Sequence, residues 1–365
     1  MWSRRDFLAI AGSSYISALA PPAFAQVSQS DQLFAATCRF GDGEFGLAIL
    51  DQSGQLISSE KLPSRGHDVV QCPTTGSFLV FARRPGLFAA LFDRSGRPIG
   101  QVDAVAGRHF YGHGIFSSDG KMFYATENDF DNARGIIGIY RIGTQQIERI
   151  GEFYSNGIGP HDVQLSADGQ FLMVANGGIE THPDFSRTKL NLPTMKPNVS
   201  WLHLKDGAVA ASFEPPAAWH KLSLRHMATA NGKQVWVGGQ LQESASTDVP
   251  LIAKLSLDTG IEFLDLSPEH QRMLQGYIGS IEVDANGEQI CVSSPKGNRA
   301  MVFDQHGNVR HVKELADVCA LAPTGQSSFQ FGTGTGEFGQ LGAQPNEING
   351  LQFDNHMIAL SAQTI

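Results

Sequence analysis

Apolar and polar residues alternate in short runs along this chain, and tight turns built on Asp, Asn or Thr followed by Gly punctuate the runs. From Gly159 to Gly177 the sequence reads GPHDVQLSADGQFLMVANG. Val163 and Leu165 alternate with polar neighbours, Asp168 and Gly169 make the turn, and a second apolar run extends from Phe171 to Ala175. Successive side chains of a strand point to opposite faces, so period-2 runs around a tight polar turn predict a β-hairpin. Variants of the same hairpin recur from Gly66, Gly112, Arg225, Gly279 and Ala316.

Each hairpin is followed by a third apolar run, as in Leu87 to Gly96, Gly135 to Gly143 and Ala300 to Gly307, and then by a more polar fourth. The repeating unit is therefore a four-stranded antiparallel sheet, the blade of a β-propeller. Ahead of the first complete copy, LFAATCRFGDG, FGLAILDQSG and LISSEKL supply a second, third and fourth strand, which brings the number of blades to seven. The expected fold is all-β, a seven-bladed propeller with one blade split between the N- and C-terminal segments. The closing GLQFDNHMIAL, from Gly350, must help to finish that blade and close the ring.

Composition adds a few limits. With 17% charged residues and a net charge of −9 there is no basic field to hold nucleic acid or anionic lipid. Ser3 to Leu8 reads SRRDFL, a twin-arginine signal, and Ala23-Phe24-Ala25 offers a small-residue cleavage site before Gln26. Residues 1–25 are thus expected to be an export signal and residues 26–365 a single periplasmic propeller domain. The apolar run from Phe7 to Ala20 is short and interrupted by Gly12, Ser13, Ser14 and Ser17, so no membrane insertion is expected once the signal is removed. In an oxidising compartment Cys38 and Cys72, and Cys291 and Cys319, are conceivable inter-blade disulfides. Four isolated buried thiols are the favoured reading, because unrelated strand positions seldom meet disulfide geometry.

Candidate chemistry gathers on one face. First-to-second-strand turns are short and plain, whereas second-to-third loops are long and carry charge, and function concentrates on such loops. Gly177 to Val199 contains His182, Asp184, Arg187, Lys189 and Met195; Glu127 to Gly135 contains Glu127, Asp129, Asp131 and Arg134. First strands start from the same face, and four consecutive copies begin with His67, His113, His161 and His226. Innermost strands line a propeller's channel, so these imidazoles should meet near its mouth. Neutral imidazole ligates copper, iron, zinc and haem iron, and two or three of the four, completed by Glu127 or Asp129, make a metal site. Acid/base catalysis is the other chemical reading. Arg83 and Arg84 are placed to pair with Glu127 or Asp129 across the mouth, or to bind an anion. There is no CxxC pair, CxxCH haem-attachment motif or phosphate loop.

Taken together, the twin-arginine start, YGHGIFSSDGKMFYATENDFDNARGIIGIY, the segment from Ser155 to Asn198 with its ETHPD, KLNL and TM elements, and LQFDNHMIAL resemble a bacterial family of exported propellers catalogued as domain of unknown function 1513. The resemblance implies a periplasmic seven-bladed propeller, often encoded beside imelysin-type iron-uptake proteins and a dihaem-peroxidase-like protein. It carries no established activity and no catalytic residue. The four histidines also resemble the consensus of YVTN-type propellers, in which a His at this place hydrogen-bonds to a neighbouring blade's backbone. The expectation is a binding or accessory protein of iron acquisition, partnering periplasmic iron-uptake proteins and holding copper, iron or haem. A lactonase-like hydrolase, a metal-dependent oxidoreductase and a pure interaction scaffold stand as its rivals.

Overall fold

The computed structural model describes residues 32–144, 146–185, 188–230, 232, 234–245, 248–325 and 327–360. The expected signal, with Arg4 and Arg5, and also Arg187, lie outside them. Among the described residues, 28 strands form seven four-stranded antiparallel sheets. Sheet follows from the alternating pattern: the outermost strand Ile147–Tyr154 alternates half-buried and exposed positions, while Phe78–Ala82 and Phe88–Phe92, covered on both faces by neighbouring blades, are buried throughout. One short α-helix, Pro268–Met273, interrupts the link from the fifth blade to the sixth; Ser267 caps it by accepting from the His270 amide.

The split blade is completed by the C-terminus. Its innermost strand is Leu351–Leu360, which pairs with Leu33–Phe40, so that Leu33 stands opposite Leu360 and Phe40 opposite Leu351. Leu351–Leu360 also packs against the innermost strands of both neighbouring blades, Val318–Pro323 and Gly66–Gln71, and closes the ring. Closure removes the exposed edge that an open array of sheets would present.

The core is divided among the interfaces between blades. Phe81, Phe110, Phe123 and Tyr140 fill the second-to-third interface, where Phe123 and Tyr140 stack with centroids 4.7 Å apart. Burying each such ring contributes roughly 1.5–3 kcal/mol. Side-chain alternation also settles the cysteines, all four of which are free and buried. Cys38 packs with Phe338 and Phe353, toward the seventh blade, while Cys72 packs with Phe81 and Phe116, toward the third. Cys291 and Cys319 likewise fall in separate interfaces, so neither conceivable disulfide forms. Burial, with the Asp354 charge nearby, pushes the Cys38 thiol up to about 12.

Candidate functional site

Each innermost strand bearing a candidate histidine breaks register at or beside it. His67 is the extra residue between the pairs Gly66–Ala82 and Asp68–Phe81, and His161 between Pro160–Asn176 and Asp162–Ala175. In the fifth blade the extra residue is Arg225, followed by His226; in the third blade the irregularity spans Phe110 to Gly114 and includes His113. The closing strand has one too, between Phe353 and Met357, and it contains His356. A bulge bends its strand and re-aims a side chain that strict alternation would send into the blade. Gly112 makes the close approach possible: at φ +115° it lies where a Cβ would come within 2.6 Å of His67 Cδ2.

Five imidazoles from five consecutive blades consequently meet on the axis. Eight of the ten ring pairs among His67, His113, His161, His226 and His356 have centroids 4.6 to 5.8 Å apart, and every ring is buried. His67, His113, His226 and His356 each offer a ring nitrogen, all four within 4.8 Å of one another. The same four each hold a buried ring nitrogen that makes no hydrogen bond: Nδ1 of His67 and His226, Nε2 of His113 and His356. His161 stands beside this set, its Nε2 sharing a 2.8 Å hydrogen bond with His226 Nε2.

Charge is layered about the imidazoles. Asp68 Oδ2 lies 3.3 Å and Asp162 Oδ1 3.8 Å from His113 Nδ1. Burial raises Asp68 to about 6 against the pull of His356, and raises Asp162 as well. Burial likewise holds all five imidazoles below their ordinary value; His356, with His113 adding to the effect, falls to about 3. The rings are therefore neutral at pH 7. On the loop side His67, His161 and His226 floor a cavity of about 230 Å³. Its walls include Arg83 and Arg84 from the second blade, Tyr111, Lys189 from the long loop, Arg225, Tyr277 and Lys296.

The sequence-predicted residues separate into three groups. The four histidines come together, and Arg83, Arg84 and Lys189 line the cavity above them. Glu127 and Asp129 do not complete the imidazole shell. Glu127 accepts from Tyr140 Oη at 2.6 Å and from Arg149 Nη2 at 2.9 Å, and Asp129 pairs with Arg108 at 2.5 Å and Arg134 at 2.6 Å. Both sit on a second strand, whose side chains face within and between blades rather than toward the channel. Their arginine partners are thus not Arg83 and Arg84. His182 and Asp184 lie on the rim, His182 Nε2 3.7 Å from Asp131 and the Asp184 carboxyl largely exposed.

Sequence reasoning missed His356, Arg225, Lys296 and the two channel aspartates. Asp68 and Asp162 directly follow His67 and His161, a recurrent His-Asp pair, and Arg225 is a charge inside an otherwise apolar strand. Those signals were present. The long loop is ordered where described: Glu180 N donates to Asn191 Oδ1 at 2.8 Å, and Asn191 Nδ2 donates to Gly178 O at 2.9 Å. It is moored to the third blade by Asn128 Nδ2, donating to Thr181 O at 3.0 Å, and by Tyr111 Oη, donating to Ile179 O at 3.3 Å.

The profile of the family described as "Protein of unknown function (DUF1513)" matches residues 60–360. No curated protein matches the chain. Among solved structures, one described as Kuenenia stuttgartiensis hydrazine synthase is similar with a TM-score of 0.59 and 14% identity, over 81% of this chain and 91% of that one. At that identity the likeness concerns the propeller fold alone.

Proposed function

The chain belongs to the DUF1513 family, proteins of unknown function, and from that premise we propose that it is a metal-binding propeller whose ion is held on the axis by His67, His113, His226 and His356. One observation carries the reading: four imidazoles from separate blades bring ring nitrogens within 4.8 Å of one another, and each of the four retains a buried nitrogen without a partner. An unpaired buried polar atom is costly, and four on the rings of one cluster are explained together if the cluster holds an ion. Metal–nitrogen bonds of about 2.0–2.1 Å put opposed ligands about 4 Å apart, so the set needs only modest contraction. The imidazoles are neutral, as ligation demands, and Asp68 beside His113 Nδ1 suits the carboxylate that commonly orients a ligating histidine.

An all-imidazole set favours copper over zinc and also accepts iron. A haem is a poorer fit, because a cavity of about 230 Å³ is smaller than the ~300–1,000 Å³ of pockets that enclose drug-sized ligands. With the twin-arginine sequence and the family resemblance, the reading extends to a periplasmic accessory protein of iron acquisition that meets iron-uptake partners. No helix among the described residues is long and apolar enough to cross a membrane.

Calorimetric titration of copper, zinc and ferrous iron into the metal-stripped, full exported chain tests it. One saturable equivalent is expected, weakened at least about 100-fold in His113→Ala and in His356→Ala, and unaffected in His203→Ala, exposed at the end of the third strand of the fourth blade. Absence of saturable binding by all three ions, or parental affinity in both cluster variants, overturns the proposal.

A further inference from the structure

The cavity above the imidazoles carries a second, separate chemistry. Arg84, Lys189, Arg225 and Lys296 all line it, no Asp or Glu does, and among the described residues none of the four makes an ion pair. Arg225 is only 7% exposed, with Nε donating to Ser223 Oγ at 3.0 Å and Nη1 3.3 Å from His161 Nδ1. A buried guanidinium held by neutral groups is a charge awaiting its partner. The two cations on opposite sides rest on rings instead of acids: Arg84 lies 5.6 Å from the Tyr111 centroid, and Lys296 Nζ lies 4.8 Å from that of Tyr277. A ring fixes a cation's position while leaving most of its charge available. The cations sense one another: burial first, then Arg225, Lys296 and Arg84, hold Lys189 below its ordinary value. The protein as a whole is acidic, so this concentration of positive charge is local.

We propose that the cavity is a binding site for a small, multiply charged oxyanion, and specifically for a di- or tricarboxylate. The arrangement of the cations selects that class. Arg84 comes from the second blade's loop and Lys296 from the sixth blade's turn, on different sides of the seven-membered ring, with Arg225 of the fifth blade beneath. A ligand with carboxylates at separate ends meets all three; a compact anion such as phosphate meets only some. The volume of about 230 Å³, seven to eight waters at ~30 Å³ each, suits a molecule of this size. Arginine and lysine supply complementary recognition, a planar fork and a mobile point charge.

The site stands on its own, whether or not the imidazoles below hold an ion, and the experiment keeps the two apart by using the metal-stripped, full exported chain. Citrate and inorganic phosphate are titrated calorimetrically at low and at physiological salt. Saturable citrate binding is expected, weakening with salt and stronger than that of phosphate. Arg84→Gln and Lys296→Gln should each lose roughly tenfold in affinity for citrate, the scale of one charge-assisted hydrogen bond. Arg141→Gln, whose side chain is exposed and pairs with Glu148, should bind like the parent. Thermal melting confirms that each variant is folded. If neither anion binds saturably, or both cavity variants bind citrate like the parent, the site is refuted; if phosphate binds as tightly as citrate, the di- or tricarboxylate assignment is refuted.

Discussion

His109 shows how a neutral imidazole is fixed in this molecule. Its Nδ1 lies 2.9 Å from the Phe110 carbonyl, to which it donates, while Nε2 accepts from Asn128 Nδ2 at 3.0 Å. Both nitrogens are satisfied only without the extra proton, and burial lowers its value from 6.5 to about 4, with Arg84 nearby acting in the same direction. The unfolded chain therefore takes up the proton before the folded one does. Stability from this residue is complete above about pH 6.5 and is lost as pH falls toward 4, by up to about 3 kcal/mol. Comparing the parent with His109→Gln isolates it from the other histidines: the stability gap measured by urea unfolding should shrink steadily from pH 7 to pH 4.5. A gap independent of pH would contradict this assignment. The cluster imidazoles differ from His109 in one respect, since each of the four in the proposed ligand set keeps one nitrogen unpartnered.

Among the elements, strands were the easiest to read and bulges the hardest. Asp-Gly turns and period-2 runs are local signals, so six hairpins and their common register, with His67, His113, His161 and His226 at equivalent places, were legible. His356 was not: its strand pairs with Leu33–Phe40, more than three hundred residues away, and carries no hairpin turn of its own to mark the register. Glu127 and Asp129 were misplaced for a related reason, because distinguishing a channel-facing strand from its neighbour needs the sheet order. The long loop belongs to this scale too. Asn191 bonds to both Glu180 N and Gly178 O, so Asn191→Ala removes two hydrogen bonds that join the loop's ends, at a cost of about 1–2 kcal/mol. Thermolysin should then cleave between Glu180 and Pro197 roughly tenfold faster than in the parent, under conditions where cleavage follows local opening. Equal rates would mean that these bonds do not order the loop.

For the whole molecule the decisive contact is between its two ends. A chain truncated after Gly350 loses the innermost strand of the first blade and exposes Leu33–Phe40 as an edge beside a channel open to water. It should fail to give the parent's cooperative melting transition and should aggregate in size-exclusion chromatography. A monomer melting like the parent would show that the ring closes without its last strand.

The strand that completes the ring also delivers His356 to the axis. That strand is made after every other described strand of the ring, so the proposed four-imidazole set cannot exist on a nascent chain that has not reached it. Its assembly is deferred until the ring can close. An ion captured there would register ring closure, and would couple His67 to His356 across most of the sequence in one bond network. Products lacking the strand would offer three imidazoles and hold metal loosely, so metal retention would sort closed rings from open ones in time rather than by shape.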